Sequence, residues 1–272
     1  MSALVQPQWL ADHLRDADVR VIEASVEKST YDAAHIPGAG WVDCHRELLL
    51  HGDDSSGYVI PPEQFAALMN RLGVAPEMTV VWYGDRHGSL ATRGFWTMGY
   101  YRHRGAVYVL DGGRERWIAE GRAMTSELPH TELVTYPVPS APDKSNRATL
   151  DRVRAAIGSE NAVLLDVRAR SEYDGTNLRA SRGGHIPGAV HIEWIDAAAG
   201  DNVLLPVEEL RELYASRGVT PDKEIIAHCQ LGIRAAHTWF VLKHVLGYPD
   251  VRNYDGSWQE WGNREDTPIE RA

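Results

Sequence analysis

The chain repeats itself at long range, and this constrains its fold more than any other feature. His35-Ile36-Pro37-Gly38-Ala39 recurs as His185-Ile186-Pro187-Gly188-Ala189, at an offset of 150 residues. Gly73-Val74-Ala75-Pro76 recurs as Gly218-Val219-Thr220-Pro221 at an offset of 145, and Asp111-Gly112 with Trp117 recurs as Asp255-Gly256 with Trp261 at 144. The order is kept and the offset drifts slowly, as duplication with small insertions would leave it. At roughly 150 residues per domain, the chain suits two domains, each long enough to bury its own core. Between the copies, Thr125 to Arg147 holds Pro129, Pro137, Pro139 and Pro142 with little apolar periodicity. Proline blocks helix and favours extended chain. The expected division is residues 1–124, a linker at 125–147 packed over the surface, and residues 148–272.

Each half alternates short apolar runs with amphipathic stretches. In the second half, Ala162 to Leu165, Glu224 to His228 and Val251 to Tyr254 are expected strands, and Val207 to Arg217 and Ala235 to Leu246 expected helices. The first half repeats this with strands at Val19 to Ile22, Thr79 to Tyr83 and Val107 to Leu110, and helices at Pro62 to Leu72 and Ala91 to Tyr101. Strands alternating with helices of this length form parallel sheets. The expected fold class is α/β: two tandem domains, each a mostly parallel sheet covered by helices on both faces.

Bulk properties narrow the function. Composition is that of a soluble globular protein, 43% hydrophobic and 24% charged. No apolar run is long enough to span a membrane. Met1 to Asp16 lacks a basic region followed by an apolar stretch, so it is read as the start of a folded helix and not as a secretory signal. A cytoplasmic location is expected. A net charge of −10 argues against binding nucleic acid or an acidic membrane, but a local cluster of donors can still hold a small anion. Two cysteines, Cys44 and Cys229, make neither a disulfide scaffold at this length nor a tetrahedral zinc site. At least one free thiol is expected, and neither a metal nor an organic cofactor.

The informative segment is Cys229-Gln230-Leu231-Gly232-Ile233-Arg234, between the strand that ends at His228 and the helix that follows. In open α/β sheets ligands bind beyond the carboxyl ends of strands. A loop entering a helix N-terminus aims backbone N–H groups and the positive end of the helix dipole at one point, which favours a thiolate, the nucleophilic form of cysteine. Gly232 permits unusual backbone angles. Arg234 supplies a permanent cation with a fork of donors, at a helix position where a cation opposes the dipole and so suggests a nearby anion. His228, adjacent on the strand, should point to the opposite face and is not expected to act as a base; His237 is read as structural. Cys44 has no glycine-rich loop after it and reads as a packing thiol. The first half's counterpart of the active loop, Tyr83-Gly84-Asp85-Arg86-His87-Gly88, has no cysteine, and a carboxylate there would repel an anion. The first domain is expected to be catalytically inert.

Tandem halves, paired His-Ile-Pro-Gly motifs and a Cys-led six-residue loop resemble the two-domain rhodanese family, the thiosulfate sulfurtransferases, over essentially the whole chain. The tail from Asn253 to Trp258, followed by Glu260-Trp261-Gly262, is similar to the C-terminal signature of bacterial members. The resemblance implies that Cys229 takes the outer sulfur of thiosulfate, releases sulfite, and passes the persulfide sulfur to cyanide or a thiol. It implies substrate contacts from Arg234 and from the loop residues Gln230, Leu231, Gly232 and Ile233. It also implies an active-site wall at Trp194, which reads equally well as a core aromatic. Gln230-Leu231 departs from the mammalian basic pair, and Glu172 stands where some members carry a substrate-binding arginine. The implied partners are a small anionic sulfur donor and a thiol or cyanide acceptor. A monomer fits a chain that supplies its own second domain.

Three rival readings share parts of this pattern. A 3-mercaptopyruvate sulfurtransferase has the same fold and nucleophile, but its loops usually carry small residues where Gln230-Leu231 stand. A Cys-dependent phosphatase of the related class needs five residues between Cys and Arg, and here there are four. A non-enzymatic interaction module would not need an intact Cys229 loop.

Overall fold

The computed structural model of the chain describes residues 2–52, 57–199 and 203–271. These form two compact units. The first takes in Met1–Leu49, Val59–Asp143 and Ala198–Leu204, and the second Leu50–Tyr58, Lys144–Ala197 and Leu205–Ala272. Each unit therefore includes a short segment from the other half of the sequence.

The first unit holds strands β1 (Leu4–Val5), β2 (Val19–Ser25), β3 (Gly40–Asp43), β4 (Thr79–Gly84) and β5 (Val107–Leu110), in the order β1-β5-β4-β2-β3. The second holds β6 (Ala162–Asp166), β7 (Val190–His191), β8 (Glu224–His228) and β9 (Val251–Asn253), in the order β7-β6-β8-β9. Every ladder in both sheets is parallel, and helices flank them. Parallel sheets require cover on both faces. Accordingly β8 is buried along its whole length. Both units have the α/β architecture expected from the repeat, a parallel sheet flanked by helices.

The expected strands and helices recur with small shifts at their ends. Pro62–Arg71, Ser89–Tyr100 and Val207–Ala215 are helices. Ile233–Phe240 is a helix continued by a π-helical turn at Val241–Val245. The N-terminus is a correction. Met1 to Asp16 was expected to open on a helix, whereas Leu4–Val5 adds to the sheet beside β5, pairing Leu4 with Val109, and the helix begins at Pro7 and ends at His13. A two-residue strand has no periodicity to read.

The repeated His-Ile-Pro-Gly motif serves the cores. Ile36 and Ile186 are fully buried, one in each hydrophobic cluster. His35 stacks on Tyr31 and His185 on Tyr173, with ring centroids 3.9 and 3.8 Å apart. Each motif then turns the chain into a short edge strand, β3 or β7. Trp117 and Trp261 close the two cores, their indole N–H groups donating to the carbonyls of Ala123 and Pro268. The segment after Thr125 lies against the first unit: Thr125 bridges His35, and Tyr136 packs edge-on against Phe65 with its N–H on the Asn70 side chain.

In the second unit Leu164 of β6 and Ile226 of β8 are register partners in one core with Ile186, Trp258 and Trp261. Truncating Ile226→Ala leaves a cavity and should cost about 2–5 kcal/mol. Urea unfolding would show this as a lower midpoint with an unchanged slope.

Candidate active site

In the second sheet β6 and β8 lie side by side, with Asp166 opposite His228. From the end of β6 the chain leaves toward β7 at one edge, and from the end of β8 it leaves toward β9 at the other. This divergence opens a crevice at the carboxyl ends of the strands, the place where open α/β sheets bind ligands. Cys229 is the first residue beyond β8. Across the crevice, beyond β6, come Arg168 and the helix Arg170–Tyr173 that carries Glu172.

The loop is held from behind by its carbonyls. The Cys229 carbonyl accepts the Trp258 N–H at 2.9 Å, and the Gln230 carbonyl accepts the Gln259 N–H at 3.0 Å. The Gly232 carbonyl accepts the buried Asn253 side-chain amide at 3.0 Å. A trans peptide places its N–H opposite its C=O, so the N–H groups of Gln230, Leu231 and Ile233 turn to the other side of the loop. Gly232 caps the helix Ile233–Phe240 in the left-handed region, φ 72° and ψ 7°, and the first amides of a helix have no intrahelical acceptor. The arrangement concentrates donors and the helix dipole beside Cys229.

Cys229 is almost fully enclosed, at 1% exposure. Its N–H donates to Ser257 Oγ at 3.0 Å, and the same hydroxyl donates to the Tyr254 carbonyl. Sequence reasoning missed Ser257. The readable signal was the repeat itself: the offset of 144 sets Ser257 against Gly113, and both adopt left-handed backbone, φ 52° and 53°. A serine held there without glycine's freedom is strained, and its hydroxyl anchors the peptide of Cys229. From the segment Leu50–Tyr58, Gly57 packs on the loop. A Cβ added to it would lie 3.1 Å from the Asp255 carbonyl oxygen and 3.3 Å from Leu231 Cα. The neighbouring Tyr58 hydroxyl donates to Glu260 at 2.5 Å.

Arg234 does not stand alone. Its Nη1 and Nη2 donate to the two oxygens of Glu172 at 2.6 and 3.0 Å, a bidentate pair in which Glu172 is 3% exposed and Arg234 21%. Burial works against the Arg234 cation, but Glu172 and nearby Cys229 more than reverse this and hold the guanidinium above its usual pKa. Burial likewise works to raise the Glu172 carboxyl; the Arg234 fork and the Ala169 N–H outweigh it and leave that carboxyl below its usual value.

Other residues singled out from sequence fall as follows. Gln230 is buried, its amide donating to the Arg179 carbonyl and to Gln259. Leu231 is half-buried, and Gly232 and Ile233 are buried. Trp194, half-buried, meets His237 of the helix Ile233–Phe240 edge-on at 5.4 Å. His228 is fully buried with Nε2 3.7 Å from Asp166, and burial drives its pKa down to about 4, which keeps the ring neutral. Asp166 binds Arg168 through both oxygens, and the Arg168 guanidinium lies over Trp258. Cys44 is fully buried, and burial pushes its thiol up to about 12. In the first unit Gly88 repeats the Gly232 cap at the same φ and ψ, while Asp85 stands where Cys229 would and is raised by burial. Among the described residues no cluster of three or more His, Cys, Asp or Glu side chains could hold a metal ion, and no helix is long and apolar enough to cross a membrane.

The rhodanese-like domain matches residues 6–120 and again 149–264. The chain belongs to the rhodanese family. This rhodanese is 42% identical to the sulfur carrier protein TtuD of Thermus thermophilus, over 99% of its own length and 96% of the relative's. It is 38% identical to the thiosulfate sulfurtransferase of Corynebacterium glutamicum, over 98% and 90%. Among solved structures, it superimposes on wild-type EanB with a TM-score of 0.86 at 26% identity, covering 99% of this chain and 69% of that one. A further structure, of an anaerobic ergothioneine biosynthesis enzyme from Chlorobium limicola with trimethyl histidine, gives a TM-score of 0.87 at 26% identity over 99% and 70%. The family is one of sulfurtransferases, and two of its domains make up this chain.

Two outcomes test this geometry. Gly57→Ala combines left-handed backbone, φ 96°, with the close approach to Leu231 and should destabilise the second unit by about 1–3 kcal/mol, seen as a lower thermal midpoint. The Glu172 pair makes the second prediction. A carboxyl depressed in the folded state stabilises above its unfolded pKa and loses that contribution as pH falls through the folded value. The stability gap between wild type and Glu172→Gln should be full at about pH 7 and close progressively below about pH 4. A gap unchanged in acid would mean the ionised pair contributes nothing.

Proposed function

We propose that this rhodanese carries sulfur as a persulfide on Cys229, taking the outer sulfur of thiosulfate and handing it to a thiol or cyanide acceptor. The observation that carries the reading is Cys229 itself: one residue past the central strand, at the switch point, beside a helix N-terminus and amides turned forward by carbonyls bonded behind them.

The Cys229 thiolate attacks the outer sulfur, a new S–S bond forms, and sulfite leaves with the electron pair of the old one. Negative charge is present from ground state to product, and loop amides fixed before the reaction hold it without reorganisation. The terminal sulfur of the persulfide occupies the same cradle. An acceptor thiolate or cyanide then attacks that sulfur and restores Cys229. The intermediate is covalent, so the kinetics are double displacement. The first unit offers no thiol at the corresponding position, where Asp85 stands. Gln230, Leu231 and Ile233 serve through their backbone, Trp194 flanks the helix that follows, and Arg234 closes the loop.

The names of the thiosulfate sulfurtransferase and sulfur carrier relatives support this reading. A 3-mercaptopyruvate donor is the alternative, separated by comparing kcat/KM for the two donors.

Mass spectrometry after thiosulfate treatment should show about 32 Da, one sulfur, on Cys229, absent in Cys229→Ser and removed by excess thiol or cyanide. Persistent absence of the adduct in the wild type overturns the assignment. Arg234→Ala should lower kcat/KM by the equivalent of about 2–4 kcal/mol, through loss of loop closure. An unchanged value removes Arg234 from the mechanism.

A further inference from the structure

The cation that closes the Cys229 loop arrives with its own counter-ion. Glu172 occupies two of the guanidinium's five N–H donors, on the two terminal nitrogens that make its fork. The fork is the part of arginine that grips a compact oxyanion. Glu172 is nearly inaccessible, and its second anchor, the Ala169 N–H at 3.2 Å, fixes it to the start of its own helix. An incoming anion cannot displace it without unpairing a buried carboxylate, which is strongly unfavourable. The pair lies on the two sides of the switch point, one member after β6 and one after β8, so it also clamps the crevice.

The charge balance follows. Loading from thiosulfate brings a dianion to a thiolate, and the Arg234–Glu172 pair contributes no net charge against it. A hydropersulfide, R–S–SH, brings its transferable sulfur without a dianionic group. We propose that Glu172 is a specificity-determining residue that converts Arg234 from an anion receptor into a loop clamp, and so makes hydropersulfides better sulfur donors to Cys229 than thiosulfate. This rests on the reading of Cys229 as the persulfide carrier. In the step, the Cys229 thiolate attacks the outer sulfur of R–S–SH, the Cys229–sulfur bond forms, the donor's S–S bond breaks, and R–S⁻ leaves with the electron pair. The proton stays on the transferred sulfur. Cys229 is oxidised to the persulfide level and the donor is reduced to its thiolate.

The experiment compares benzyl hydropersulfide, whose R group is uncharged, with thiosulfate, on wild type, Glu172→Gln and Glu172→Asp, with Cys229→Ser as the blank for uncatalysed transfer. In the wild type kcat/KM should favour the hydropersulfide by about tenfold or more, because charge repulsion in a partly enclosed site acts more strongly on the dianion than on a hydropersulfide, which carries at most one negative charge. Glu172→Gln frees the fork while keeping its shape, and the ratio of thiosulfate to hydropersulfide kcat/KM should rise about tenfold. Glu172→Asp, which keeps the charge, should leave the preference on the wild-type side. A wild type that prefers thiosulfate overturns the proposal even if Glu172→Gln does not fold, as does a Glu172→Gln protein with an unchanged donor ratio. If both donors load Cys229 but the ratio fails, the persulfide reading stands and Glu172 is only structural. If neither loads it, both fall together.

Discussion

Parallel pairing of β6 with β8 is the constraint on which the second unit's site depends. It sets Asp166 level with His228 and sends the two following segments away from each other. Everything chemical is then placed by chain continuity: Cys229 one step beyond β8, Arg234 at the start of the next helix, Arg168 and Glu172 just beyond β6. The strand pairs lie in a core of branched aliphatic and aromatic side chains, so the level of the two strand ends cannot slip without exposing Leu164 and Ile226. The precision of the loop is inherited from that core and conveyed by carbonyl bonds to the Ser257–Trp261 helix and by Asn253. A side chain held in this way needs little rearrangement to meet the loop amides, which is the condition under which backbone dipoles act most strongly.

Much of this was legible before any coordinates. The repeat announced two similar units, and apolar runs of four to six residues located the long strands. Cys229 drew attention because packing alone poorly explains a cysteine followed by Gly232 and Arg234 at a strand-to-helix turn. What stayed hidden has physical reasons. β1 and β7 contain two residues each, too few to show alternation, and exist because neighbouring strands offer them a free edge. Ser257 lay unremarked within the Asn253–Trp258 tail; its role depends on a left-handed backbone that only the pairing with Gly113 hints at. Glu172 lies 62 residues from Arg234, and no local pattern reveals a contact made by folding. Burial was misleading too: Cys44 and Cys229 are equally enclosed, and what separates them is the chemistry of their surroundings.

The first unit shows what remains of such a loop when its nucleophile is absent. Gly88 keeps the φ and ψ of Gly232, and the helix after it keeps its place beyond the central strand. The backbone cradle is therefore a property of the fold, and the side chain at its first position decides whether it holds a thiol or a half-buried carboxyl group. Glu23, Tyr83 and Arg114 form a buried hydrogen-bonded cluster in that unit, a polar arrangement devoted to packing.

The assignment of Leu50–Tyr58 to the second unit has a consequence for biosynthesis. Gly57 leaves the ribosome some 175 residues ahead of the loop it packs on, a delay on the order of ten to thirty seconds at ordinary elongation rates. During that interval Gly57 lacks the contact with Leu231 that it makes in the folded second unit. Translation order and folding order are thus mismatched, and a fragment carrying the catalytic half alone would emerge lacking part of the wall around its own nucleophile.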